Sequence, residues 1–467
     1  MKRSVVPCQV ADSLTFLVAS MWNVLYNALL LLASPVIFVM LLAKPRCRRG
    51  LAQRFGFTAP GISPDQRPLI WMHAVSLGEV VAITPLVREL HRRHPGYRFA
   101  VSTATETGRD AVERRLAGIA EHVYAPLDFP WAVARTIDRL RPVLYVFIET
   151  ELWPNLLHQL ARRGVPAVMV NGRLSTKSYA RQRRAPVRWL YEGMLRSLRL
   201  CLMQSDRDAE RIISLGADPR SVHRTGNIKF DQPLPSSTER KVTRAQLGLA
   251  SQAPLLVAGS THPVEEEMLL DAYRVVLTRH PSAQLLLAPR HIERADAVEA
   301  LVRGRGFSVR RRSRGSQPDE SESARPQVVI LDSRGELAAV YQDASVDFVG
   351  GTLVPIGGHN LLEPAFWAKP VLFGPYTDHC VEIASLLVQA DGGRRVSTVE
   401  ELTAQLLRLF DHPQERVRMG QAAQSMVQQN QGALQATIDA IDRELASDGA
   451  GHSAPCSPGP FPLMAGR

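Results

Sequence analysis

Residues 68–94 read PLIWMHAVSLGEVVAITPLVRELHRRH, and this stretch contains the unit from which the fold is predicted. The apolar run Pro68–Val75 has the length and composition of a buried strand, and Val80–His94 repeats with a helical period. The loop between them holds small residues that let a backbone approach a ligand, and Glu79 lies at the helix start. A strand, a short loop and a helix in this order are typical of βαβ units and a parallel sheet.

The same alternation runs along the chain in two series. The first predicts strands at Pro68–Val75, Arg98–Ala104, His122–Leu127, Val143–Glu149, Ala167–Gly172, Leu198–Ser205 and Val222–Asn227. The second predicts strands at Leu255–Ser260, Gln284–Pro289, Val328–Asp332, Val346–Gly351 and Pro370–Gly374. We therefore expect an α/β fold with two Rossmann-like domains and a cleft between them, where the carboxyl ends of the strands meet.

A chain of 467 residues exceeds what one hydrophobic core usually supports, which agrees with two domains plus additional segments. The segment QPLPSST (232–238) is rich in proline and serine and predicts a linker. The predicted organisation is a tail and membrane anchor (1–43), a first domain (44–231), a linker (232–252), a second domain (253–445) and a disordered tail (446–467).

The N-terminal run Leu14–Leu42 carries no formal charge and is long enough to span a bilayer as a helix. Basic residues follow this run densely and precede it sparsely, which by the positive-inside rule predicts a single anchor with the domains in the cytoplasm. A secretory signal is disfavoured because no small-residue cleavage site follows the run. A crossing helix and a helix lying in one leaflet both remain open.

The net charge of +11 and the pI near 9.8 indicate an anionic partner. Between Arg173 and Arg199 there are eight basic residues and one acid, interleaved with Trp189 and other apolar residues. Such a stretch suits phosphates at a membrane surface, although a solvated basic face is the alternative. Nucleic acid is disfavoured because no recognised binding module accompanies the charge. The five scattered cysteines predict neither disulfides nor a zinc site.

Two acidic segments of the first half are candidates for proton transfer. Glu79 is either an acid that satisfies a helix N-terminus or a base that takes a proton from an attacking hydroxyl. Glu149 and Glu151 follow the apolar strand Val143–Glu149, where parallel sheets place ligands, although a helix cap explains them equally well. If the strand continues, both side chains point to the same face.

Three segments of the second half suit a pocket for a phosphate and a ribose: 288–291 (APRH), 333–336 (SRGE) and 350–364 (GGTLVPIGGHNLLEP). Backbone N–H groups after the strands are expected to meet the phosphate, and a carboxylate is expected to accept from ribose hydroxyls. Neither a Walker A motif nor a strict G-x-G-x-x-G occurs, so neither an ATPase nor a dehydrogenase is supported. Asp206-Arg-Asp208 resembles a metal-holding motif, but capping after Ser205 explains it, and no metal is assigned.

Five segments in this order resemble the 3-deoxy-D-manno-octulosonic acid (Kdo) transferases of Gram-negative bacteria. They are HAVSLGE (73–79), ETELWPN (149–155), GNIKFD (226–231), PRH (289–291) and GGTLVPIGGHNLLEPA (350–365). The resemblance spans roughly residues 21–440. It implies a GT-B-type glycosyltransferase at the inner membrane that transfers Kdo from CMP-Kdo to a lipid A precursor (lipid IVA). It further implies inversion, release of CMP, and neither a metal nor a cofactor, since CMP-Kdo is a co-substrate.

The resemblance also implies roles for individual residues. Glu79 is the expected general base, and Glu149 and Lys229 are expected to position the donor or stabilise the transition state. The expected CMP pocket consists of Pro289, Arg290, Arg334, Gly335, Glu336, Asn360, Leu361, Leu362 and Glu363.

Two positions depart from the family pattern. Leu361 stands where relatives usually have proline, which predicts a looser turn, and Arg334 stands where relatives often have an apolar residue. Two other functions stay open: a GT-B lipid glycosyltransferase that uses a UDP-sugar, and an inactive membrane scaffold that binds lipid.

Overall fold

The computed structural model describes residues 8–43, 48–58, 65–185, 187–232, 242–314 and 327–448, with side chains from residue 23 onward. The chain divides into two compact units. The first unit comprises Met1–Gln232 and Gln431–Arg467, and the second comprises Pro233–Asn430.

Each unit contains seven described strands. Those of the first unit are β1 (Leu69–His73), β2 (Arg98–Thr103), β3 (Glu121–Tyr124), β4 (Pro142–Ile148), β5 (Ala167–Gly172), β6 (Leu200–Met203) and β7 (Val222–Arg224). Those of the second unit are β8 (Leu255–Thr261), β9 (Gln284–Pro289), β10 (Val309–Arg311), β11 (Val328–Ile330), β12 (Val346–Val349), β13 (Val371–Phe373) and β14 (Gly393–Arg395).

Helices connect the strands in both units. In the first unit they begin with α1 (Cys8–Ala43), α2 (Leu51–Arg54), α3 (Leu77–Arg93), α4 (Glu106–Arg115), α5 (Pro130–Leu140), α6 (Pro154–Arg162), α7 (Thr176–Gln182), α8 (Val187–Leu195) and α9 (Asp206–Ser214). The second unit contains α10 (Glu265–Arg279), α11 (Ala295–Gly304), α12 (Leu337–Val340), α13 (Leu362–Phe366), α14 (Val381–Gln389), α15 (Val399–Asp411) and α16 (Pro413–Gln429), and the last helix, α17 (Ala433–Asp448), returns to the first unit.

The first unit is built on a parallel sheet in the order β3-β2-β1-β4-β5-β6-β7. Alternate residues of β1 enter the cores on its two faces: Ile70 and Met72 on one side, Leu69 and Trp71 on the other. The strand order reverses between β1 and β4. In open parallel sheets this switch point, at the carboxyl ends of the strands, is where ligands bind.

The second unit has a parallel sheet in the order β10-β11-β9-β8-β12-β13-β14. Its switch point lies between β8 and β12. Buried residues again cover both faces, with Leu256 and Leu285 in one core and Val257 and Leu286 in the other. The prediction of two parallel-sheet α/β domains is therefore confirmed. The candidate segments 73–79 and 149–155 follow the strands at the first switch point, and the segment 350–364 follows β12 at the second.

All twelve predicted strands are present with shifts of a few residues, and two short strands were missed. These are β10 and β14, which are three residues long, contain two arginines each and form the two edges of the second sheet. An edge strand needs little apolar sequence because one side of its backbone faces no neighbouring strand. The apolar pattern therefore carries no signal for them.

The boundaries of the second domain differ from the prediction. In the supposed linker, Val242, Leu247 and Leu249 are buried in the core of the second unit, whereas residues 233–241 lie outside the described residues. Burial of these side chains makes residues 242–252 part of that unit rather than a free connection.

The C-terminal helix was assigned to the second domain and instead belongs to the first unit. Its apolar residues, including Ile438 and Ile441, join the core beside α3, and the Asp231 carboxylate accepts hydrogen bonds from Gly432 N at 2.7 Å and Leu434 N at 2.8 Å. Helix α17 extends to Asp448, so residues 446–448, which were predicted to belong to a disordered tail, are helical, and residues 449–467 lie outside the described residues.

The N-terminal apolar helix is present as α1. Among the described residues, one segment, Asn23–Ala43, is long and apolar enough to cross a membrane, and its most apolar stretch is not buried. Polar side chains near its start contact the first unit: Tyr26 Oη donates to Asp128 at 2.9 Å, and Asn27 bonds Asn155 at 3.0 Å. The helix is a candidate anchor by its length and composition.

Candidate active site

Glu79 lies at the start of α3, directly after β1 and beside the switch point of the first sheet. One carboxylate oxygen accepts a hydrogen bond from Val75 N at 2.8 Å, and the other accepts from Ser76 Oγ at 2.8 Å. Both bonds come from residues just before the helix, and Ser76 makes no side-chain cap to the helix backbone, so the arrangement is not a complete capping box. The local geometry thus agrees with the helix-start interpretation and leaves open a second role in proton transfer.

The environment of Glu79 raises the pKa of its carboxylate to near neutral pH. Burial raises the pKa of Glu79 to about 7; the bonds from Val75 and Ser76 oppose this rise, and the charges of Glu149 and Glu151 add to it. All three carboxylates therefore lie within electrostatic reach of one another. A carboxylate with a pKa near the working pH is suited to general base catalysis.

Glu149 follows β4 at the same switch point. Its φ is 60°, in the left-handed region that non-glycine residues seldom adopt, and its backbone N donates to Val170 O at 2.9 Å. The strand therefore ends at Ile148 and does not continue through Glu151, so strand alternation does not orient the two carboxylates, which is the second of the two cases considered for this segment. Strained backbone of this kind is concentrated at functional sites.

Lys229 pairs with Glu149, although the two are 80 residues apart in sequence. Lys229 lies in a short 3-10 helix, Ile228–Asp231, that follows β7, and its Nζ is 3.3 Å from Glu149 Oε1. Each side chain is about 30% exposed (29% and 31%), so the pair is accessible to a ligand. The structure thus places Glu79, Glu149 and Lys229 beyond the carboxyl ends of strands of the first sheet.

A buried amide network, which the sequence did not reveal, supports the backbone beneath Lys229. Asn171 Oδ1 accepts from Ile228 N at 3.1 Å, and Asn227 Oδ1 accepts from Lys229 N at 3.1 Å. Asn227 Nδ2 in turn donates to Gln204 Oε1 at 3.2 Å. Asparagines at the end of β5 (Asn171) and shortly after β7 (Asn227) were the available signal, because an amide at a strand end usually bonds backbone.

In the second unit, the glycine-rich loop after β12 is held by a buried carboxylate. Glu265, in the first turn of α10, accepts hydrogen bonds from Gly351 N (2.8 Å), Thr352 N (3.0 Å), Leu353 N (2.9 Å) and His262 N (3.0 Å). The N–H groups of Gly351, Thr352 and Leu353 therefore donate to Glu265 and are not free to meet a phosphate, whereas a phosphate contact by the later part of the loop stays a prediction.

Three of the predicted nucleotide-binding residues lie together. Burial raises the pKa of Glu363, while the hydrogen bond from Asn360 Nδ2 (3.1 Å) and the charge of Arg290 oppose the rise. Arg290 is exposed just after Pro289, the last residue of β9, and its backbone N donates to Thr261 O at 3.0 Å. A cation, an amide and a carboxylate on one surface can bind a nucleotide.

The leucines of the same segment have a structural role. Leu361 and Leu362 are 0% and 1% exposed, so their side chains belong to the core and only their backbone can reach a ligand. Asn360 Oδ1 accepts from Leu362 N at 3.1 Å across the turn at Leu361, and the expectation that this turn is looser than in relatives with proline stays a prediction.

The side chains of Arg334 and Glu336 in the predicted segment 334–336 pair with residues 41 and 24 positions earlier in the chain. Arg334 is exposed and pairs with Glu293 at 3.3 Å. Gly335 has a φ of 81°, which favours glycine. Glu336 is buried and bonds Arg312 at 3.2 Å.

Comparison with known proteins identifies the family. The family model described as 3-deoxy-D-manno-octulosonic-acid transferase (kdotransferase) matches residues 49–232, the range that holds Glu79, Glu149 and Lys229. The 3-deoxy-D-manno-octulosonic acid transferase of Haemophilus influenzae is 37% identical over 426 residues, which cover 90% of this chain and 98% of the relative. This chain belongs to the Kdo transferase family.

Further similarities agree with this membership. The Kdo transferase of Bordetella pertussis is 32% identical and covers 83% of this chain and 90% of its own length. A solved glycosyltransferase of Rickettsia africae shares the fold, with a TM-score of 0.54 and 12% identity over 83% of this chain and 100% of that chain. The predictions of the family, of a glycosyltransferase and of a GT-B-type fold are confirmed.

Proposed function

We propose that this Kdo transferase moves Kdo from CMP-Kdo to a lipid A precursor, lipid IVA, with inversion and release of CMP. Family membership supports the sugar that is transferred. The observation that carries the chemistry is the group at the switch point of the first sheet, where Glu79, with a pKa of about 7, lies within the field of Glu149, which pairs with Lys229. This group combines a base with a cation.

In the proposed reaction, an acceptor hydroxyl attacks the anomeric carbon of Kdo. The bond from the acceptor oxygen to carbon forms as the bond from carbon to the phosphate oxygen breaks, and the electron pair leaves with CMP. Glu79 takes the proton of the hydroxyl, and one displacement inverts the anomeric centre. Lys229, held by Glu149, offsets the negative charge of the donor.

We assign CMP to the second unit. Arg290 supplies the cation for the phosphate, and Glu363 accepts from the ribose hydroxyls. The complete proposed set is Pro289, Arg290, Arg334, Gly335, Glu336, Asn360, Leu361, Leu362 and Glu363. In this set the leucines act through their backbone because their side chains are buried.

The membrane is the second proposed partner, since the acceptor is a lipid. Helix α1 is the proposed anchor in the bacterial inner membrane, with both units on the cytoplasmic side. The basic stretch Arg173–Arg199 contains α7 and α8, and its cations suit the anionic surface beside which a phosphorylated lipid is held.

The test is mass spectrometry of the products formed from CMP-Kdo and a tetra-acylated lipid A precursor, with NMR of the new anomeric centre. We expect Kdo-modified lipid with inverted configuration. Glu79→Gln should abolish transfer and retain CMP binding. Glu89→Gln is the control on the same helix. It should retain transfer, because Glu89 pairs with Arg92 and Arg93 and has no role in the proposed reaction. A preference for UDP-sugars would replace the proposed donor. Lipid binding without any product would indicate a scaffold.

A further inference from the structure

Two histidines of the second unit form a hydrogen-bonded pair that the proposed function does not use. His262 directly follows β8, and His359 lies in the glycine-rich loop before α13. Their Nε2 atoms are 2.8 Å apart, and the rings are nearly coplanar, with an angle of 4° between planes and 5.1 Å between centroids. One ring must donate its Nε2 proton and the other must accept it.

The fold holds this pair in place. Gly351 has a φ of +70°, and a side-chain carbon there would lie 3.0 Å from the His359 ring, so glycine permits the close approach. Glu265 fixes the loop backbone from Gly351 to Leu353 and also accepts from His262 N. One buried carboxylate therefore fixes the backbone of His262 and of Gly351, the glycine that lies against the His359 ring.

Arg290 and three histidines, which carry a charge only when protonated, lie near His359. Burial lowers its pKa to about 3, and repulsion from Arg290, His262, His379 and His291 lowers it further in the same direction. An anion in this surrounding would offset the repulsion, whereas a metal cation would add to it.

His262 has the same kind of surroundings. Burial lowers its pKa, and Arg290, His291 and Arg294 also lower it, while the charge of Glu266 opposes them. Glu266 is committed elsewhere, since it accepts from Arg294 at 2.9 Å and 3.0 Å.

The number of protons on the two rings determines how many Nδ1–H donors the histidine pair offers to a ligand. In the neutral pair, the ring that donates through Nε2 has a bare Nδ1, and the ring that accepts at Nε2 carries its proton on Nδ1. The neutral pair therefore offers one Nδ1–H donor. One additional proton gives both rings an Nδ1–H and the pair a charge of +1, which suits the several acceptor oxygens of a phosphate.

We propose that the His262–His359 pair, together with Arg290, binds the phosphate of the nucleotide and takes up one proton when it does so. This inference rests on the proposed function, and it assigns to side chains an anion binding that the N–H groups of Gly351, Thr352 and Leu353, which donate to Glu265, do not provide. The added proton stays on the pair and hydrogen-bonds the departing phosphate.

The first test uses full-length protein in detergent and needs no variant. CMP and cytidine are titrated calorimetrically at pH 7.5 in two buffers of different ionisation enthalpy, which gives the number of protons taken up. CMP binding should take up about one proton and cytidine binding none. CMP binding without proton uptake overturns the proposal.

The second test uses His262→Gln and His359→Gln. Each should weaken CMP binding about 10- to 100-fold, leave cytidine binding unchanged and lose the proton uptake. His280→Gln is the matched control, because His280 follows the opposite end of α10 and bonds Asp411 at 2.9 Å. It should change none of these quantities.

The outcomes test the role of the histidine pair and the identity of the proposed donor separately. Equal losses for CMP and cytidine would mean that the histidines only support the fold, and would overturn the proposal. A wild-type protein that prefers UMP over CMP would refute the proposed donor. In that case the His262–His359 pair is tested with UMP and uridine in place of CMP and cytidine. The proton uptake and the ratio of the two affinities are measured in the same way.

Discussion

Removal of one hydroxyl beside Glu79 should shift the pH dependence of transfer. Ser76 Oγ donates to a carboxylate oxygen of Glu79 at 2.8 Å and thereby stabilises the charged form that the proposed base requires. In Ser76→Ala this stabilisation is lost. Ser76 makes no side-chain cap to the backbone of α3, so the substitution should have little effect on the helix itself.

The size of the shift follows from the hydrogen bond. A hydrogen bond to a charged group stabilises it by roughly 1.5–3 kcal/mol, and the lower end of this range applies to a partly exposed carboxylate. About 1.5 kcal/mol corresponds to about one pKa unit. The pKa of Glu79 should therefore rise from about 7 to about 8. Because the base must be deprotonated, activity should fall about eightfold at pH 6.5 and stay nearly unchanged at pH 9.5.

The assay is kcat/KM for Kdo transfer between pH 5.5 and 9.5, for the wild type, Ser76→Ala and a control. Ser221→Ala is the control, because Ser221 Oγ also donates to a nearby oxygen of the first unit, Asp218 O at 2.9 Å, away from the proposed site. A profile that keeps its acid limb near pH 7, or that falls equally at every pH, would refute the role of Glu79 as the base.

Three further predictions concern other parts of the molecule. Lys229→Met and Glu149→Gln should each lower kcat by about 100-fold or more, yet change the free energy of unfolding by less than about 1 kcal/mol, because the ion pair is nearly one third exposed. Glu265→Ala should lower the free energy of unfolding of the second unit by at least about 3 kcal/mol in urea titrations, since it leaves four backbone donors without their partner. Truncation after Asn430 removes α17 and should abolish cooperative unfolding of the first unit, whereas truncation after Asp448 should preserve it.

Each of these predictions has a clear contrary result. A large loss of stability in Lys229→Met would make the ion pair structural. Wild-type stability in Glu265→Ala would mean that the glycine-rich loop finds other acceptors. A folded first unit without α17 would show that its buried apolar side chains are dispensable.

The sequence by itself determined the seven strands of the first sheet, five of the seven strands of the second sheet, and the family. The predicted bounds of β5 (Ala167–Gly172) and β9 (Gln284–Pro289) agree with the structure residue for residue. Apolar runs of strand length bounded by turn residues are local patterns, and residues close in sequence are enough to define them. The motifs were likewise sufficient for family membership, because their residues and order are read directly from the chain.

The tertiary structure decided what depends on residues far apart. The pairing of Glu149 with Lys229 joins positions 80 residues apart, and the neutral pKa of Glu79 comes from burial that no local pattern specifies. The same holds for Glu265, whose position in a first helical turn gives no sign that it holds a loop 86 residues further along the chain. Helix α17 returned to the first unit because a suitable apolar surface was available there. Periodicity states which residues are buried, but only the packing of the whole chain determines against what they are buried.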